Sequence, residues 1–421
     1  MDAVHTPQTC KKTIKYTRGD ILNATDALLL NAFSAYIKKE TLSGRNKLPD
    51  GDFSLFVKKA MLHKLIPMAG SALLRSGILT ENQNALLRGA VLRQTAGQTV
   101  RTAEFLKVYG KLFETGAKPL CVKGVVCRSY YPEPDMRPSG DEDLIACEKD
   151  FALCRDKLLQ LGFTADNADE NAFEIGFQHP QTGCRIELHN AFFDPKSSFF
   201  GAFNDLFTNV FEAPREYSPE GVSVFAPKDD IHLLYLILHA YKHFIHAGIG
   251  IRQLCDIALF AAGGRFEWND IFTKCAEVNA DVFLNAVLLI GEKYFGLDLT
   301  RIKAAYPAFD GDLDIAPLLD DVMSGAVYGA DSEERQHSAT ITLNTVAAAA
   351  DGKQASVFRS VFPPREKLVK KYPYLEKHPA LLPAAWAQRL FSYSKGGNDS
   401  SLTVEIGKKR VELMKQYKII K

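Results

Sequence analysis

Asp141 and Asp143 stand one residue apart in Pro138-Ser139-Gly140-Asp141-Glu142-Asp143-Leu144-Ile145, and a third acid follows in Arg185-Ile186-Glu187-Leu188-His189. Residues i and i+2 of a strand share a face. A strand beginning at Asp141 therefore projects both aspartates together and turns Glu142 away. Carboxylates that close repel unless a cation lies between them. A hard divalent ion such as Mg²⁺ or Mn²⁺ takes oxygen ligands and keeps positions open for substrate phosphates. If a second strand pairs beside the first and aims Glu187 at the same place, three carboxylates can hold two ions. One then carries a triphosphate and the other lowers the pKa of an attacking hydroxyl. The expected chemistry is metal-assisted transfer of a phosphate-bearing group. His189 shares the strand face of Glu187 and is a candidate general base, a role open to Glu187 as well.

Cations should accompany such a site. Lys123 and Arg137 are the expected phosphate contacts, Arg137 because its fork matches phosphate oxygens and never deprotonates. The plainer alternatives pair Arg137 with Glu133 or Asp135 in its own loop and leave Lys123 as a surface strand-end lysine. A second constellation is His232, His239, His243 and His246, spaced to share one face of a helix. It reads as a polar face lining a cleft, as a nucleotide contact through His243, or as a metal site from His239, His243 and Asp256. The last lacks the Glu of His-Glu-x-x-His. Arg252 and Asp256, four apart, read most simply as a helix-stabilising pair.

The elements that must position these groups follow from periodicity. Apolar residues recur at helical spacing in Ala27–Phe33 and again from Phe53 to Ile66. Thr80-Glu81-Asn82-Gln83 is a capping box opening a helix, and a further helix runs to about Thr115, with Gly116 as its stop. Pro119–Lys123 reads as a short buried strand ending at Gly124. Asp150–Leu161 reads as a helix stopped by Gly162. Phe173–Phe177 and Cys184–Leu188 read as strands joined by Pro180-Gln181-Thr182-Gly183, good hairpin chemistry. From Lys228 to about Ala350 the pattern is helical again, and Lys395–Ser401 reads as a flexible loop. The boundaries expected are a helical region at 1–116, an α/β core at 117–195, a helical domain at 196–350 and a basic region at 351–421.

A chain of 421 residues with 46% hydrophobic and 24% charged residues is an ordinary globular protein of two or three domains. Its net charge of +1 hides an asymmetry: residues 353–421 hold 15 Lys/Arg against 5 Asp/Glu, leaving 1–352 at −9. That basic segment either meets an anionic partner such as nucleic acid or docks on the acidic remainder of the chain. The eight cysteines include no Cys-x-x-Cys pair, which speaks against a zinc site or disulfide framework. Met1–Thr13 lacks the apolar core of a signal peptide, and no apolar run approaches the roughly 18 to 20 residues that span a bilayer. The expectation is a cytoplasmic protein without a membrane segment.

Lys123-Gly124, the Tyr-Pro-x-Pro-x-x-Arg loop from Tyr131 to Arg137, Gly140-Asp141-Glu142-Asp143-Leu144 and Ile186-Glu187-Leu188-His189 together resemble the bacterial uncharacterised nucleotidyltransferase family of the polymerase-β-like superfamily. The resemblance extends to His239–His243 and Gly250–Asp256. It implies a mixed α/β (α+β-like) fold, with a small mixed-sheet nucleotidyltransferase core inserted between helical regions. It also implies that Asp141, Asp143 and Glu187 are the metal carboxylates and that an NTP, with ATP the expected one, is substrate. Many superfamily members carry Gly-Ser shortly before the acidic strand, where the loop grips the triphosphate. Here Gly124 is followed by Val125, so Ser129, Ser139 and Gly140 are the remaining candidates for that loop.

The function expected is Mg-dependent transfer of NMP from an NTP to a hydroxyl-type acceptor, with release of pyrophosphate. The alternatives are a catalytically weak or inactive nucleotide- or nucleic-acid-binding protein on the same fold, and a metal hydrolase built on the histidines. The acceptor stays open among small molecule, glycan, protein and RNA, because fold does not fix substrate.

Overall fold

In the computed structural model, the residues described are 22–42, 46–166, 172–326, 333–350, 362, 364–369, 371–395 and 400–420. The signal-peptide reading of Met1–Thr13 and positions 396–399 of the loop expected at Lys395–Ser401 lie outside them, whereas Lys395, Ser400 and Ser401 belong to helices, not to a loop. Helix accounts for 61% of the structure and strand for 7%, so a small sheet sits among many helices.

Among the described residues four helices precede the sheet: α1 (Ala24–Ile37), α2 (Asp50–Leu62), α3 (Ile66–Arg75) and α4 (Glu81–Phe113). The apolar run from Phe53 to Ile66 is not one helix. Lys64 takes φ +55° and breaks it between α2 and α3. The capping box at Thr80 and Gln83 forms as read, but α4 then continues without interruption for 33 residues, where two helices were expected. Gly116 takes φ +83° just beyond its end, a conformation that suits glycine.

The sheet has five strands in the order β1-β2-β5-β4-β3. They are β1 (Leu120–Val122), β2 (Glu142–Ile145), β3 (Thr164–Ala165), β4 (Glu174–Gln178) and β5 (Arg185–His189). β4 and β5 form the expected antiparallel hairpin, whereas β2 and β5 run parallel, with Asp143 opposite Glu187 and Ile145 opposite His189. That parallel pair requires a crossover, supplied by α6 (Glu148–Gln160), which packs against β5 and α4. Leu144, Ile186 and Leu188 are fully buried and hold β2 and β5 in the core. Between β1 and β2 lie the short α5 (Gly124–Arg128) and the Pro-rich loop. Two further strands, β6 (Arg215–Tyr217) and β7 (Val224–Ala226), form a separate antiparallel pair.

The helical part begins with α7 (Asp229–His246) and α8 (Ile251–Gly263), followed by α9 (Trp268–Glu277), α10 (Asp281–Phe295), α11 (Thr300–Ala305), α12 (Ala316–Gly325) and α13 (Glu333–Ala350). The last helix spans Ser400–Gln416 and packs against α13. Helix ends leave carbonyls without intrahelical partners. At the end of α7 these are met from elsewhere: Arg410 donates to Phe244 O and to His246 O (2.9 Å), and Thr342 Oγ1 donates to His246 O (3.0 Å). Arg410 and Arg335 flank the buried Asp321, and Lys409 pairs with Asp320 at 3.0 Å. These described basic residues therefore meet acids of the same chain. Among the described residues no helix is long and apolar enough to cross a membrane, and the seven described cysteines are free thiols.

Candidate active site

β2 opens at Glu142 instead of Asp141, one residue later than the sequence suggests, yet the alternation holds. Glu142 faces away from the two aspartates and is buried. It accepts from the Val125 N–H (2.7 Å) and from Arg128 Nη1 (2.6 Å), and so pins α5 behind the sheet. Gly124 makes this approach possible. A Cβ there would meet Glu142 Oε2 at 2.0 Å, and its φ of +28° disfavours any side chain.

On the other face the parallel register sets Asp143 beside Glu187. Ligand atoms of Asp143, Glu187 and His189 all lie within 4.8 Å of one another. Asp141 stands outside that group but lines the same cavity as Asp143. Lys123 is the immediate cation: its Nζ lies 2.6 Å from Asp143 Oδ1 and 3.1 Å from His239 Nε2. Its backbone is held at φ +58°, and its N–H donates to His232 Nε2 (3.0 Å). Lys123, read as a phosphate contact or else a surface strand-end lysine, is thus seated on the acidic cluster and fixed at two points by α7.

The electrostatics follow from this crowding. Burial alone would raise the Asp143 carboxyl, but the Lys123 ammonium and His189 beside it hold it down at about 2. Glu187 moves the other way. Burial, then the charges of Asp143 and Asp141, push it up to about 8. One carboxylate is ionised by its cation while its neighbour keeps a proton, as expected of acids sharing a site. Burial, reinforced by the Lys123 charge, lowers His232 to about 3 and depresses His239, whose Nε2 also lies 3.2 Å from His243 Nε2. Burial and then Lys123 likewise lower Lys242, a fourth α7 residue turned toward the acids.

A divalent cation suits this donor set. Both ring nitrogens of His189 are buried without a hydrogen-bond partner, although Asp143 Oδ1 and Glu174 Oε2 stand 3.5 and 3.4 Å away. The crowded Asp143, Glu187 and Asp141 would be relieved by positive charge between them.

Other expected contacts have different places. Arg137 pairs with neither Glu133 nor Asp135. Its Nε and Nη2 donate to Asp256 Oδ1 and Oδ2 at 2.7 and 2.6 Å, deep in the protein, and Tyr131 Oη donates to the same carboxylate (2.8 Å). Asp256 consequently does not pair with Arg252, which donates to Pro138 O instead. Nor does Asp256 join His239 and His243. Among the described residues the only group of metal-ligating side chains is Asp143, Glu187 and His189. Ser129 lies at the end of α5 with its hydroxyl on Val126 O, away from the cavity wall. Ser139 does line the cavity, but its hydroxyl donates to Asp141 O (2.7 Å). Gly140 is exposed, near Lys64. His243 stands behind His239, and His246 is exposed.

Sequence reasoning missed Lys242, Arg252, Gln253 and the role of Asp256. The first gave no signal beyond lying next to the histidine stripe. Arg252 and Gln253 sit at a helix N-terminus following a Gly-Ile-Gly run, which was a usable one.

A family model described as "Uncharacterised nucleotidyltransferase" matches residues 49–296, more than half of the chain. No curated protein and no solved structure matches it.

Proposed function

This chain belongs to the uncharacterised nucleotidyltransferase family, and we propose from that premise that it transfers NMP from an NTP to a hydroxyl-type acceptor with release of pyrophosphate. The observation that carries the proposal is the β2–β5 register, which sets Asp143 and Glu187 side by side with His189 one turn of the pleat away. Asp143, Glu187 and His189, with Asp141 at the rim, would hold Mg²⁺ or Mn²⁺. When bound, such an ion supplies charge neutralisation on the polyphosphate and a lower pKa for the acceptor hydroxyl.

The chain's own residues do the positioning. Lys123, fixed by α7, lies within reach of a phosphate oxygen once it leaves Asp143. The Asp256–Arg137 pair holds the loop before β2 against α8, so the acids meet substrate in one geometry. His189, or Glu187 in its ionised form, accepts the acceptor proton. The acceptor oxygen bonds to the α-phosphorus as the bond to the β-bridging oxygen breaks, and pyrophosphate carries away that electron pair. In this reading the strand-bearing segment at 117–195 supplies the acids and the helical domain at 196–350 closes over them.

The test is incubation with labelled NTPs, ATP first, Mg²⁺ or Mn²⁺ and candidate acceptors. Asp143→Asn should abolish label transfer, and undiminished transfer would remove Asp143 from the chemistry. The Lys123–Asp143 ion pair favours a second reading, nucleotide binding without turnover. Tight NTP binding with no pyrophosphate release under any metal would select it.

A further inference from the structure

We propose that the N-terminus of α8, with Arg252, Gln253 and Arg137, is the seat for the polyphosphate of the nucleotide. The proposal rests on the nucleotidyl-transfer reading of the same cavity and names what grips the phosphates in the absence of a Gly-Ser loop.

Three residues that line the same cavity as Asp141 and Asp143 each hold a buried donor with nothing to donate to among the described residues. Arg137 is 3% exposed. Asp256 takes its Nε and Nη2, and its Nη1 is left over. Arg252 is 8% exposed. Its Nη1 goes to Pro138 O, its Nε has no partner, and it forms no ion pair among the described residues. Gln253 accepts the Gly250 N–H on Oε1 (2.6 Å), which fixes the amide orientation and leaves Nε2 as an unmatched donor.

A buried polar group without a partner is destabilising. Three donors of this kind on residues lining one cavity, with no acceptor among the described residues, fit an anion. Asp256 does not supply it, since its charge is already matched by Arg137. The 13-residue α8 adds first-turn N–H groups and the positive end of its dipole. The cavity, about 40 Å³, has room for a phosphoryl group or a few waters. Ser139, by contrast, has spent its hydroxyl on Asp141 O. The phosphate grip is thus shared between Arg137 of the loop before β2 and the first turn of α8, in place of a Gly-Ser hydroxyl.

The probe is inorganic pyrophosphate, titrated calorimetrically into the full-length protein in EDTA so that the acids hold no divalent ion. Gln253→Glu keeps an acceptor for the Gly250 N–H, and with it the helix cap, but exchanges the donor for a negative charge. It should weaken pyrophosphate binding by about tenfold or more with an unchanged melting temperature. Arg252→Gln, whose loss of the Pro138 contact would register separately as a lower melting temperature, should weaken binding in the same direction. Absence of pyrophosphate binding by the unmodified protein, or equal affinity in it and Gln253→Glu, overturns the seat. Transfer activity is read separately with Mg²⁺. If the seat binds pyrophosphate but no NMP is moved, the reaction fails and the seat stands. If NMP is moved equally well by Gln253→Glu, the seat fails and the reaction stands.

Discussion

Glu187→Gln should remove a pH dependence of stability that the unmodified protein carries when metal is chelated. Glu187 rises from its ordinary 4.5 to about 8 because it is buried beside Asp143 and Asp141. The unfolded chain ionises this carboxyl above 4.5 while the folded one keeps its proton until about 8. Stability from this group is therefore fully present below 4.5 and is lost as pH rises through 8. At about 1.4 kcal/mol per tenfold change in proton affinity, the whole effect is on the order of 5 kcal/mol. One-fifth of the side chain is exposed, and water there brings the expectation to about 2–4 kcal/mol.

The comparison must be a difference between the two proteins. The depressed histidines of α7 push the other way over the acid half of the range, since they charge more readily when unfolded. Asp143, held at about 2, titrates below the window and leaves it undisturbed. Chemical denaturation in EDTA between pH 5 and 8.5 gives the measurement. The stability of the unmodified protein relative to Glu187→Gln should fall by about 2–4 kcal/mol across it, and saturating Mg²⁺ should abolish the fall. A difference that stays flat within about 0.5 kcal/mol in EDTA would refute the crowding of these acids.

Three more outcomes follow from the same geometry. Asp256→Ala leaves the Arg137 guanidinium buried without its carboxylate and should cost about 3–5 kcal/mol in denaturation free energy; a loss below about 1 kcal/mol would mean that the pair is wet. Gly124→Ala drives a Cβ into Glu142 Oε2 and forces an unfavourable φ, so it should cost about 2 kcal/mol or more by the same assay. Lys123→Met takes the ammonium off Asp143 and should tighten Mn²⁺ binding by about tenfold in titrations without nucleotide; unchanged affinity would show that lysine and metal do not compete.

The acids were legible because their signal is local. Alternation in β2 separates Glu142 from Asp143, and the turn at Pro180–Gly183 predicts the hairpin that carries Glu187. The pairing of a second strand beside β2 was a fair inference from that pair, but its parallel direction had no local signal. The cations were named, but their partners were not legible, because those lie far along the chain. Arg137 and Asp256 are 119 residues apart, and Lys123 and His239 are 116 apart. Nearby acids such as Glu133, and the i, i+4 spacing of Arg252 and Asp256, offered plausible partners that tertiary packing overrode. The break at Lys64 was equally hidden, since a lysine at φ +55° gives none of the warning that a glycine would.

The capped end of α7 extends the site beyond the residues that face it. That helix anchors Lys123 through His232 and His239, while Arg410, near the far end of the chain, ties down its last carbonyls. The helix works as a rod clamped at its tail and pressing on the active site with its flank. Trimming the chain before Ser400 would take away Arg410 and leave Thr342 alone to hold the clamped end. The resulting play would reach Lys123 as a looser hold on Asp143.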